Sequence, residues 1–270
     1  MIQLIYIFLF SILAGSIGSM VGIGGGFLMI LFFTLVIKLP IRYAVALSLI
    51  SIIASSSIAT SFYLHEKMTN IRLAIVLETA TCTGAILGAF IALIIPTSII
   101  EGILGITLLY AGILLLLNPI SHEVITKPSK LSGEYYDGNN LVKYSVSRIK
   151  LGLFASLFAG MISGIVGIGG GIIKVPIMNL IMKIPIKAAA ATSNFMVGLT
   201  ASASAIVYFI KEMIDFQLAI PTVLGIIIGA MIGTHFLIHG KPLYLRRILG
   251  LILSLFSIIF ILKALGVVIL

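Results

Sequence analysis

Long uncharged runs set the pattern of this chain. In its first half they cover roughly positions 4–37, 43–64, 73–95 and 102–117, and in its second roughly 151–182, 188–210, 216–238 and 248–262. A helix that crosses a bilayer needs about 20 mostly apolar residues. Backbone groups in lipid must be satisfied within the segment, so runs of this length are predicted to be helices. The short alternating segments of a transmembrane β-barrel are absent. Brief polar breaks separate the runs: Lys38 to Arg42 around Pro40, His65 to Arg72, and Pro96 to Glu101. The second half has Lys183 to Lys187 around Pro185, Lys211 to Asp215, and Lys241 to Arg247. The predicted architecture is all-α, a polytopic helical membrane protein of about eight transmembrane segments.

One polar stretch, 118–150, divides the chain into a first repeat at 1–117 and a second at 151–270. It holds Pro119, Pro128, Gly133, Gly138 and five basic residues, and it reads as an irregular linker on the cytoplasmic side. The two halves are a tandem duplication. Gly22-Ile23-Gly24-Gly25-Gly26 recurs as Gly167-Ile168-Gly169-Gly170-Gly171, an offset of 145. At the same offset Lys38 meets Lys183, Pro40-Ile41 meets Pro185-Ile186, Ser48 meets Ser193, and Gly84-Ala85 with Gly88 meet Gly229-Ala230 with Gly233. About a third of positions 15–90 match their partners without a gap. Membrane composition alone does not generate such a register, and repeats of this kind recur in secondary transporters.

Each repeat opens with a segment of some thirty residues, longer than a straight helix needs to cross. Consecutive glycines near its middle, each about 1 kcal/mol unfavourable in a helix, mark a break. Each first helix is therefore expected to be discontinuous. Counted as one span, the broken segments give four spans per repeat and parallel repeats. If the break turns the chain back, each half has five membrane segments and the repeats are inverted. Either way, half-helices restarting at Phe27 and Ile172 would aim free N–H groups and helix dipoles at the interior. Gly24, Gly25, Gly26, Gly169, Gly170 and Gly171 would leave those groups open to an anion. Gly84/Gly88 and Gly229/Gly233 instead suit close helix packing.

Composition agrees with this picture. The 270 residues are 60% hydrophobic and 9% charged, too few polar groups to cover a water-exposed surface. Seventeen Lys and Arg against eight Asp and Glu give a net charge of +9. They stand singly in the gaps between runs, as in cytoplasmic loops and lipid headgroup contacts, so no nucleic-acid partner is expected. Cys82 is the single cysteine. It allows no intramolecular disulfide or Cys-rich metal site and reads as packing. The first run has no basic n-region before it and is taken as a retained span.

A few polar residues lie inside the runs. Lys174, three positions after Gly171 and matched by Met29, would add a full charge near the break. Ser48, Thr192, Ser193 and Asn194 offer hydrogen bonds to anion oxygens. Glu78 and His235 are candidates for proton coupling, with Arg72 an alternative ion-pair partner for Glu78. The glycine run lacks the spacing of a dinucleotide fingerprint and the G-K-S/T ending of a P-loop. There is no HExxH and no GxSxG, so no enzyme activity is expected.

At these residues the chain resembles the sulfite exporter TauE/SafE family of membrane permeases. The resemblance rests on Gly164-Ile165-Val166-Gly167-Ile168-Gly169-Gly170-Gly171 followed by Val175-Pro176, and on Ala191-Thr192-Ser193 one segment later. The copy from Gly18 to Phe27 matches too. It implies a secondary carrier of sulfite, sulfonates or related small organosulfur anions, needing no cofactor or metal. Expected partners are the small anion, the lipid bilayer of the cell membrane and a coupling proton or Na+, with a homo-oligomer left open; an anion channel, or a carrier of another small metabolite, is the rival reading. Leu31 stands where the second copy has Pro176, and Leu47-Ser48-Leu49 where it has Thr192-Ser193-Asn194, so the second half is favoured for specific contacts.

Overall fold

A computed structural model of the chain describes residues 2–21, 24–117, 131–137, 140–239 and 243–267. Helix α1 (Ile2–Val21) is followed by α2 (Gly26–Leu31), which runs on into a π-helical turn at Phe32–Val36. Then come α3 (Ile41–His65), α4 (Ile71–Ile94) and α5 (Thr97–Leu116). The second half repeats the series: α6 (Ile149–Val166), α7 (Gly171–Pro176) with a π-helical turn at Ile177–Ile181, α8 (Ile186–Ile210), α9 (Phe216–His239) and α10 (Leu243–Ala264). Among the described residues, seven helices are long and apolar enough to cross a membrane, and shorter apolar helices lie at Gly26–Val36, Gly171–Ile181 and Ile248–Ala264. The fold is that of a polytopic helical membrane protein. Its outward faces keep residues such as Ile75, Phe90, Phe154, Ile220 and Leu224 exposed, as a lipid-facing surface requires.

The glycine breaks reverse the chain. Gly24 has φ +77, and Gly167, Gly169 and Gly170 have φ of +74, +74 and +75, a region that side-chain-bearing residues enter at a cost. Each half-helix then returns along the helix it left. Phe32 stacks on Phe10 with ring centroids 4.2 Å apart, and Gly25 sits against the Ala14 carbonyl. In the second half Gly152 packs on the Met182 side chain, and the Ser147 N–H donates to the Met182 carbonyl at 3.1 Å. The two broken segments are thus hairpins rather than rods. A count of eight that takes each as a single span becomes five helical elements in each half.

Where the helices touch, small residues let the backbones close, which matters because lipid supplies no hydrophobic drive between helices. Gly84 and Gly88 of α4 rest on the carbonyls of Leu157 and Met161 in α6. Gly229 and Gly233 of α9, 145 positions later, rest on those of Ile12 and Ser16 in α1. The fourth element of each half therefore packs on the first of the other. The fifth elements pair as well, with Gly105 against Ser257 and Gly250 against Gly112. Helices α3 and α8 cross at the centre, where the Ser56 hydroxyl donates to the Asn194 carbonyl at 2.5 Å.

The sequence reads 118–150 as irregular. Of this stretch, 118–130 and 138–139 lie outside the described residues, and β1 (Gly133–Asp137) pairs antiparallel with β2 (Asn140–Tyr144), with Tyr135 opposite Val142. Asn70 ties it to the bundle. Its side-chain amide donates to the Leu131 carbonyl at 3.0 Å and the Tyr144 hydroxyl at 3.3 Å, while its Oδ1 caps α4 through the Leu73 N–H at 3.1 Å. Apolar Tyr135, Tyr144 and Val146 are buried against Leu73, Leu77 and Met182, and this burial overrides the polar composition.

Gly88→Val would drive a side chain into the Met161 backbone, which cannot yield. The expected cost is about 1–3 kcal/mol, read as a lowered thermal unfolding midpoint in detergent. An unchanged midpoint would mean that α4 and α6 separate freely.

Candidate functional site

The two glycine breaks meet around one side chain. Ile52, near the middle of α3, lies against Gly24 and Gly26 of the first break and against Gly169 of the second. Val197, at the equivalent place on α8, also touches Gly169. All of these residues are buried. The Ser48 hydroxyl reaches the Gly167 carbonyl at 2.8 Å, so α3 of one half holds the break of the other.

The backbone of the breaks carries unpaired donors. Among the described residues, no hydrogen bond of ordinary geometry runs from the N–H groups of Ile168, Gly169, Gly170, Gly171 or Ile172. Pairing resumes with the N–H groups of Ile173 and Lys174, which both donate to the Gly170 carbonyl, at 3.1 and 2.9 Å. In the first half, no acceptor among the described residues pairs with the N–H groups of Gly24, Gly25, Gly26, Phe27 or Leu28, and the ladder resumes at Met29. More than nine-tenths of buried backbone groups in proteins are paired, so two adjacent runs of buried free donors are exceptional. Free N–H groups in such a run are of the kind that can donate to an acceptor of several hydrogen bonds. Glycine is required here for two reasons: the positive φ, and the absence of side chains over the N–H groups.

Lys174 lies one turn into the second half-helix and is wholly buried. Its Cε packs beside Gly170. Its Nζ is 3.2 Å from Glu78 Oε2, an ion pair reaching from α7 to α4. The Thr200 hydroxyl of α8 stands between them, accepting from Lys174 and donating to Glu78. The Cys82 thiol donates to the other Glu78 oxygen at 3.3 Å. The sequence offers Arg72 as a partner for Glu78; the fold gives it Lys174 instead, because the glycine break turns the half-helix back beside α4 and α8.

The remaining candidates divide. Ser193 is fully buried and its hydroxyl has no partner, unlike its counterpart Ser48. Thr192 accepts the Asn70 N–H at 3.0 Å and so holds the turn before α4. The Asn194 amide donates to the Ala190 carbonyl at 3.1 Å, within its own helix. His235 is exposed near the end of α9, apart from the breaks. Sequence reasoning passed over three residues. Thr200 was findable, since its counterpart at the 145 offset is Ser55, so both copies put a hydroxyl there. Ile52 looks like any core residue. Ser163, buried without a partner beside Gly170, gave no signal in a span rich in serine and glycine.

Breaking one side of this pair should be costly. Glu78→Gln or Lys174→Met alone leaves a buried group uncompensated, with an expected loss of about 3–5 kcal/mol. The double variant should recover most of it in thermal unfolding, and an equal loss in all three would mean that the two groups are not coupled.

Comparison with known proteins agrees with the architecture. Residues 7–260 match the family model described as Sulfite exporter TauE/SafE. The "Probable membrane transporter protein YunE" of Bacillus subtilis is 25% identical over 230 residues, covering 82% of this chain and 84% of that one. The "Probable membrane transporter protein MJ0441" of Methanocaldococcus jannaschii is 26% identical over 270 residues, covering 91% of each. No solved structure gives a significant match. The matched region takes in both glycine breaks, the Lys174–Glu78 pair and nearly all of the bundle, and the chain belongs to the sulfite exporter TauE/SafE family of membrane transporters.

Proposed function

We propose that this transporter is a secondary carrier that moves a small oxyanion, sulfite or a sulfonate or related organosulfur compound, by alternating access around the paired glycine breaks. The observation that carries the reading is the double run of buried N–H groups, at Ile168 to Ile172 and Gly24 to Leu28, that have no acceptor among the described residues. Two half-helix N-termini add partial positive charge there, and Lys174 adds a full one close to Gly170. The unpartnered hydroxyl of Ser163, beside Gly170, is a further donor near the second break. Apolar Ile52 and Val197 line the same place and favour a small ligand over a bulky one.

The mechanism follows from the repeat. The halves at 1–117 and 151–270 are taken as inverted repeats, joined by 118–150. Each contributes one break and one half-helix, and an inverted relation would bring those half-helices in from opposite faces. Rocking one half against the other would open the site to each side in turn. The sulfur-containing substrate class comes from the family description.

Gly170→Leu with Gly171→Leu covers the free N–H groups and forces leucine into a left-handed position worth about 1–2 kcal/mol of strain. Uptake of sulfite and methanesulfonate into proteoliposomes should fall at least tenfold while the protein still inserts and elutes as one species. Undiminished uptake would sink the reading. Flux that does not saturate with substrate would turn it into a channel.

A further inference from the structure

Two opposite charges lie inside the bundle beside the second break, and each is held by the other. Lys174 Nζ and Glu78 Oε2 are 3.2 Å apart, with side-chain exposures of 1% and 6%. Thr200 bridges them and Cys82 donates to Glu78. At the repeat-related positions stand Met29, Val223 and Ser55, so the charges belong to one break only. Apolar residues would pack there equally well, since a buried ion pair gives little or no net stability over them. What the pair provides instead is a positive charge next to Gly170 in a site that is neutral when empty.

We propose that Glu78 is the resident counter-ion of Lys174 and takes up a proton when an anion binds, so that each monovalent substrate crosses with one proton. This rests on the carrier reading above. In the empty site the ammonium is balanced by the Glu78 carboxylate. When the anion settles on the free N–H groups and Lys174, the balance passes to it. A proton from the water on the open side then adds to a carboxylate oxygen of Glu78. The site goes from ammonium and carboxylate to ammonium, anion and carboxylic acid, neutral in both states. Release on the other side returns the proton to water and re-forms the pair; no bond within the substrate changes. Neutrality in both states matters because an uncompensated charge in a low-dielectric interior is costly, and empty and loaded carriers must both reorient.

The surroundings leave the exchange to these groups. Glu78 is faced by Lys174 from α7, Thr200 from α8 and Cys82 from its own helix. Helix α6, packed on α4, has no ionisable side chain from Leu151 to Val166, and α8 has none between Lys187 and Tyr208. Ser163, unpartnered and 1% exposed beside Gly170, is placed to donate to the incoming anion.

The test is calorimetric titration of the purified chain with methanesulfonate and ethanesulfonate, which have no titratable group near neutral pH. Titration in two buffers of different ionisation enthalpy counts the protons. Wild type should take up about one proton per anion, with affinity falling about tenfold per pH unit on the alkaline side. Glu78→Gln should bind with no proton uptake and a flat pH profile, and the anion should raise its unfolding midpoint more than that of wild type. The Glu78→Gln/Lys174→Met double variant, free of buried charge, should bind at least tenfold more weakly and take up no proton. Wild-type binding without proton uptake, or uptake that persists in Glu78→Gln, overturns the counter-ion role and leaves the anion carrier standing. No binding of either sulfonate by wild type overturns both.

Discussion

Within a bilayer every backbone N–H needs a partner, and an unpaired one costs several kcal/mol. Almost all of this fold obeys that constraint by being helix. The two glycine breaks do not, and much of the arrangement around them follows from that. Irregular backbone at such depth is tolerated only where protein or a lined cavity surrounds it. The breaks accordingly lie at the centre of the bundle, behind the crossing of α3 and α8, with Ile52 filling the space between them. Long helices form the wall: α1 on α9, α4 on α6 and α5 on α10, each contact closed by glycine.

The same constraint explains why the second break carries charge and the first does not. A half-helix that turns back beside α4 and α8 brings Lys174 to Glu78 and Thr200, residues 96 and 26 positions away in sequence. In the first half the corresponding place holds Met29, whose sulfur receives only the Ser11 hydroxyl at 3.6 Å. Two halves of one ancestry thus give a frame of near-equal backbone with a single charged pair on one side. The asymmetry lies in the side chains: the second break carries the ionisable cluster, and the first does not.

Polar residues elsewhere mostly serve the frame. Thr192 and Asn70 fix the start of α4, Arg42 donates to the Ala92 and Ile95 carbonyls at the end of the same helix, and Ser56 joins α3 to α8. Hydroxyls on the helices largely bond back to the preceding turn, as Thr81 does with Leu77 and Thr107 with Ile103. Ser163 and Ser193 depart from that habit, and both lie near the second break or at its repeat-related position.

Much was determined by the sequence alone. Run length and the need to satisfy backbone groups in lipid fix the helices, and a common 145 offset fixes the two halves. Three glycines in a row mark where each first segment must fail as a helix. Tertiary structure decided the rest. Only the sign of φ at Gly24, Gly169 and Gly170 determines whether the break bends a rod or folds a hairpin, and composition is silent on that. The partner of Glu78 depended on the same turn: Arg72 is near along the chain, but Lys174 is near in space. Ile52 carried no mark at all, because an apolar residue between two glycine breaks is spelled like one in any core. Local chemistry is written residue by residue, whereas a site built from the meeting of two repeats exists only once the chain has brought them together.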